Sequence, residues 1–169
     1  VWDDASDWNS AGAMLNGTTV SGNALTGTSA GILWDFNTNN QGWTFSNSYT
    51  GRVTSPSCGF NGTSGGSLRT YAGSTYGTSP VVNLAGGVNV PFHAWVHEGR
   101  SGCGETPDAN ENLYFQYKDS SGAWTNFQTF SGGSPSTSNF QFMTTLPTAA
   151  LHANAQFRIH QNSGSSTCC

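Results

Sequence analysis

The sequence predicts an all-β fold, an antiparallel two-sheet β-sandwich of jelly-roll type. Three observations carry that reading. Apolar residues rarely recur at the three- and four-residue spacing of a helix, whereas period-two alternation recurs along the chain. The alternating runs are bounded by clusters of Gly, Ser, Asn and Pro, the residues that turn a backbone. Gly, Ser, Thr and Asn make up 80 of the 169 residues, yet aromatic residues reach 12 %, enough large rings to fill a core.

Residues 1–30 are rich in Gly, Thr and Ser, with few large apolar groups beyond Trp2, Trp8, Met14 and Leu15. They are expected to form an N-terminal arm or a first pair of strands, with residues 31–169 as the sandwich proper. Within that body the first candidate strands are Gly31–Phe36, Gly42–Ser46, Ser67–Tyr71 and Pro80–Leu84. The clearest is Val90–His97, with Val90, Phe92, Ala94 and Val96 on one face and His93, Trp95 and His97 on the other. Asn112–Lys118 follows, with Leu113, Phe115 and Tyr117 opposed to Tyr114, Gln116 and Lys118. Ala123–Phe130 and Asn139–Thr145 obey the same rule. Leu146–Ala153 does not alternate, and its Ala and Leu content suggests a helical turn or a crossover between sheets. In Ala155–Gln161 alternation puts Phe157 and Ile159 inside and Arg158 and His160 outside. Glu111–Gln116, ENLYFQ, matches a familiar protease-tag sequence, but it continues an alternating strand and reads as native.

Composition also excludes function classes. The net charge is −4, from five basic and nine acidic residues, which does not suit a nucleic-acid surface. No apolar run approaches the ~20 residues that span a bilayer. Charged residues are 8 %, and the polar surface is otherwise Ser, Thr and Asn, as in secreted and cell-surface proteins. The opening at Val1, without Met, suggests a removed leader or a piece of a longer protein.

Cys58, Cys103, Cys168 and Cys169 show no CxxC spacing, so disulfides are a better expectation than zinc. Four cysteines allow three pairings. Cys58–Cys103 joins two Gly/Ser-rich loops and would restrict the unfolded chain by roughly 4 kcal/mol in the entropy model. Cys168 and Cys169 would close on each other or bond to another chain. The alternative is buried free thiols. The sequons at Asn16 and Asn61 carry little weight in a chain this rich in Asn, Ser and Thr.

The stretch Phe92–Trp124, FHAWVHEGRSGCGETPDANENLYFQYKDSSGAW, resembles the centre of reelin-type repeats and their microbial surface relatives. They share a strand, a loop with Cys and Pro-Asp, Glu-Asn before an aromatic strand ending in Gln-Tyr, and an Asp-Gly turn before Trp. AQFRIHQNSGS is similar to the strand that follows in those repeats, and DFNTNNQGWTF, from Asp35, to the opening of MAM-like domains. The resemblance implies an extracellular jelly roll used for adhesion or assembly, with no enzymatic activity. It also implies a calcium site near Asp35 and Asn37, although relatives carry an acidic residue where Asn37 stands. Such repeats end in one more strand, with an aromatic residue followed by Asp-Asp. The chain stops at Cys169 before it, while Val1, Trp2, Asp3 and Asp4 look like that strand at the opposite end. The expected partners are therefore copies of the same chain, joined head to tail by residues 1–8, or other surface proteins.

Glycans are a second class of partner, with exposed rings stacking on sugars; Trp95 and Tyr114 are the platform candidates, each opposite the more apolar face of its strand. Catalytic alternatives are weaker. Glu105, Asp108 and Glu111 form an acidic group, but Gly104 and Pro107 place the first two on a loop, so no strand aligns their carboxylates as a glycosidase pair would need. His93 and His97 lie ~13 Å apart along a strand, too far to share a metal held at ~2 Å. No GxSxG elbow occurs.

Overall fold

A computed structural model describes residues 18–21, 24–27, 31–54, 66–96, 108–132 and 140–162. All strand pairings are antiparallel, and among the described residues the only helical element is a 3-10 turn, Thr148–Ala150. The chain is an all-β sandwich. β1 (Thr18–Ser21) and β2 (Ala24–Gly27) pair as a hairpin, so this part of the N-terminal region takes the paired-strand alternative. The strands that follow are β3 (Thr44–Phe45), β4 (Thr50–Val53), β5 (Ser67–Thr70), β6 (Thr75–Thr78), β7 (Pro91–Val96), β8 (Leu113–Lys118), β9 (Trp124–Phe130), β10 (Phe140–Thr145) and β11 (Phe157–Gln161).

One layer is a five-stranded sheet in the order β3-β6-β11-β8-β9. Its inner face carries Thr75, Gly77, Phe115, Tyr117 and Phe157, all buried. The opposing layer is divided. The β7–β10 ribbon covers the β11-β8-β9 side: Phe92 meets Phe115, Phe127 and Phe157 at ring separations of 5.8, 5.0 and 5.6 Å, and Phe142 meets Phe115, Phe127 and Phe130. The β4–β5 hairpin covers the β6 side, where a Cβ on Gly77 would lie 3.0 Å from the Leu68 Cδ1. Between the sheets at one end, Leu84, Val90, Tyr117, Leu146, Ala150, Ala155 and Phe157 form the buried cluster, with Trp34 and Leu151 packed on it. The predicted non-alternating crossover is the 3-10 turn, held by the Leu146 N–H donating to Val90 and the Ala150 N–H donating to Pro147. His152, just beyond it, tethers the turn to β8: its Nε2 lies 2.8 Å from the Lys118 carbonyl oxygen.

Several expectations change. Residues 31–36 form no strand. The Phe36 N–H donates to the Gln41 amide oxygen and its carbonyl accepts from the Arg52 guanidinium, so side chains take the place of a ladder there. Pro80–Leu84 contracts to one bridge, Val82 to Ala155, because Pro80 has no N–H to donate and the Ser79 hydroxyl binds its carbonyl. β4 and β6 were not predicted; their short TGRV and TYGT segments show no apolar alternation. On β9, Phe127 and Phe130 both turn inward despite an odd spacing. A bulge between Phe115 and Gln116 of the β8 partner register admits the extra residue. Gln116, predicted opposite the buried face, is itself 9 % exposed.

Candidate functional site

The five-stranded sheet places a continuous set of rings and polar groups on its outer face. The register sets them. Tyr76 of β6, His160 of β11 and Tyr114 of β8 stand directly opposite one another across three strands. Two residues along, Thr78, Arg158, Gln116 and Asn126 form the next row. In the upper row both tyrosine rings lie 5.9 Å from the His160 imidazole, edge-on for Tyr76. In the lower row the Arg158 guanidinium lies 3.9 Å from the Trp124 ring centre and 4.1 Å from that of Tyr76. Cation–π contacts of this kind contribute about 0.5–2 kcal/mol each as desolvation deepens.

The same face holds three polar atoms that are buried without a protein partner: Arg158 Nε, His160 Nδ1 and the Gln116 amide oxygen. The Gln116 amide nitrogen donates to Asn126 at 2.8 Å. His160 Nε2 lies 3.0 Å from the Ser74 hydroxyl. Burial, and secondarily the positive charge of Arg158, holds the His160 imidazole below its ordinary pKa of 6.5. Burial likewise lowers the Arg158 value, with Tyr76 opposing the shift, and no carboxylate contributes.

The depressed His160 value has a stability consequence whose sign is fixed. The unfolded chain binds a proton near 6.5 and the folded chain only at lower pH. Stability from this group is therefore complete above pH 6.5 and is lost as pH falls through the folded value. Urea midpoints measured at pH 7.5 and 5.0 are expected to fall on acidification. In His160→Gln that fall is expected to be smaller; an equal fall would contradict the assignment.

The second site is the loop from Asp35 to Gln41. Asp35 Oδ1 accepts the Asn37 N–H at 3.1 Å and Oδ2 accepts the Asn37 amide at 3.0 Å. Asn37 Oδ1 accepts the Gly66 N–H, and the carbonyls of Phe36 and Asn37 both accept from Arg52. Arg52 thus puts its positive charge on the carbonyl oxygens of the loop that was expected to hold calcium. A Cβ at position 66 would fall 1.7 Å from the Phe36 carbonyl oxygen, so only glycine fits there. Beside the loop is a shallow open basin of about 470 Å³ lined by Thr38, Asn39, Asn40, Gln41, Gly42 and Arg52. Among the described residues no group of three or more His, Cys, Asp or Glu is placed to hold a metal ion.

Of the predicted platform residues, Tyr114 lies within the outer-face array, its hydroxyl accepting from the Asn112 amide. Trp95 is on β7, opposite Gln141 in register; its side chain lies outside the description. Cys58, Cys103, Cys168 and Cys169, residues 1–8, Glu105, His97 and the sequon asparagines Asn16 and Asn61 also lie outside the described residues. Asp108 and Glu111 are bound into one turn: the Asp108 N–H donates to the Glu111 carboxylate at 2.8 Å, and the Glu111 N–H to the Asp108 carbonyl. Trp124, Tyr76, Arg158 and His160 were not recognised as a site from the sequence. Alternation placed Arg158 and His160 on one face, but only the strand order β6-β11-β8-β9 brings the three rings beside them.

The fold and this face define an antiparallel β-sandwich with an aromatic and cationic outer sheet. No protein-family model matches the chain, and no curated protein matches it.

Proposed function

We propose that the chain is a non-enzymatic extracellular module of structural or adhesive type. In this reading it is a jelly-roll subunit, similar to reelin-type and MAM-like domains, that joins copies of itself head to tail by exchanging a strand. Val1–Trp8 of one copy is added to the second layer of the next. The observation that carries the reading is the divided layer. Two ribbons, β4–β5 and β7–β10, face one five-stranded sheet, and among the described residues neither is hydrogen-bonded to the other as a sheet. Among those residues β7 and β10 have each other as their strand neighbours, and in this reading the added strand pairs with an outer edge of that ribbon. Low charge suits the close packing of like subunits. A head-to-tail contact that does not close into a ring makes a fibre. Electron microscopy of the full chain is the test: filaments are the expected result, and a dispersed 17.8 kDa particle at all concentrations overturns it.

A carbohydrate-binding module is the second reading, favoured by the position of Tyr114 among other rings on the sheet face. The two are compatible, since assembly uses strand edges and sugar stacking uses a face.

A further inference from the structure

None of the five strands of the large sheet contains Asp or Glu, although the chain as a whole has nine acidic residues against five basic ones. Two of the five basic residues, Lys118 and Arg158, stand on that sheet's outer face. Arg158 is held in a fixed pose. Trp124 and Tyr76 cover its guanidinium at 3.9 and 4.1 Å, and Nε is buried without a partner. The terminal N–H groups are what remains to meet a ligand. A guanidinium fork pre-positioned in this way matches a carboxylate, which accepts two parallel N–H bonds. Around it stand ring faces and amides, the groups that take the apolar and hydroxyl sides of a pyranose.

We infer that the outer face of the five-stranded sheet binds a carboxylate-bearing pyranose, a hexuronate unit of an acidic polysaccharide. Arg158 holds the carboxylate, Lys118 adds charge, and the rings of Trp124 and Tyr114 stack on the sugar. A neutral sugar fits less well, because the sheet offers its hydroxyls no acidic acceptor and leaves the cation uncompensated. The inference rests on the carbohydrate-binding reading and specifies it.

Affinity electrophoresis of the full chain through gels containing polygalacturonate, dextran or polyglutamate tests it. Polygalacturonate is expected to retard the protein at low ionic strength, less so as salt is raised. Dextran and polyglutamate are expected to leave it free. Arg158→Gln is expected to weaken retention at least tenfold, and Trp124→Ala to weaken it as well. Should Arg158→Gln fail to fold by circular dichroism, Arg158→Lys is the variant to read: it keeps the charge and stem but loses the fork, and weaker retention is again expected. Unchanged retention in the folded arginine variant overturns the inference, as does equal retention by polyglutamate, which would assign the face to acidic peptides. Retention by dextran that ignores Arg158 overturns it while sparing the carbohydrate reading. Loss of retention by every polysaccharide overturns both. If Arg158→Gln abolishes filaments and leaves retention intact, the face is a contact between copies and the inference is again overturned.

Discussion

Phe115→Ala is expected to lower the unfolding free energy by about 3–5 kcal/mol, the usual cost of removing a buried phenyl ring. The ring is 3 % exposed and sits where the two layers meet. It touches Phe92 and Phe142 of the β7–β10 ribbon and Phe127 and Phe130 of its neighbour β9. Its loss therefore removes transfer free energy and leaves a cavity lined by four rings that cannot all collapse inward. In a domain of this size each 1 kcal/mol displaces the melting temperature by roughly 2–4 °C, so thermal unfolding is expected well below that of the parent. Tyr114→Phe, one residue away and on the opposite face, removes only the hydroxyl that accepts from Asn112. It is expected to cost about 1 kcal/mol or less. Equal destabilisation by the two would contradict the assignment of faces.

Deleting residues 1–8 is expected to convert filaments into single chains. The extended backbone of an added strand satisfies a row of donors and acceptors along a ribbon edge, and its alternate side chains fill the layer beneath. In the proposed assembly, copies that lack residues 1–8 have no strand to exchange. Sedimentation of the deleted chain is expected to show a species near 17 kDa, with the circular dichroism of the sandwich retained. Deleted protein that still polymerises would mean that some other surface joins the copies.

Much of the fold was legible because alternation reports burial directly. β7, β8, β9, β10 and β11 each lie within a run where apolar and polar residues take turns, and Phe92, Phe115 and Phe157 are core residues as their phase requires. The misses have physical causes. β4 and β6 are written in Thr, Gly, Arg and Tyr with a single Val, and Gly77 gives the inner face space for Leu68 and Phe45 rather than a side chain of its own. Such a strand carries no apolar period. Residues 31–36 have the period but lose the ladder, because Phe36 takes a φ of 54° and hands its backbone groups to Gln41 and Arg52. The outer-face array was legible only in parts. Tyr114 was singled out, and the outward phase of Arg158 and His160 was read, but Trp124 and Tyr76 join them through strand order, which alternation does not encode.

Strand exchange itself is tested most directly by supplying the strand in trans. The chain lacking residues 1–8 is titrated with a peptide of sequence VWDDASDW while its thermal unfolding is followed. The account predicts saturable one-to-one binding and a melting temperature that rises with peptide concentration, as mass action requires of a ligand that binds only the folded form. A peptide of the same composition in scrambled order should leave it unchanged. A melting curve indifferent to both peptides would contradict the account.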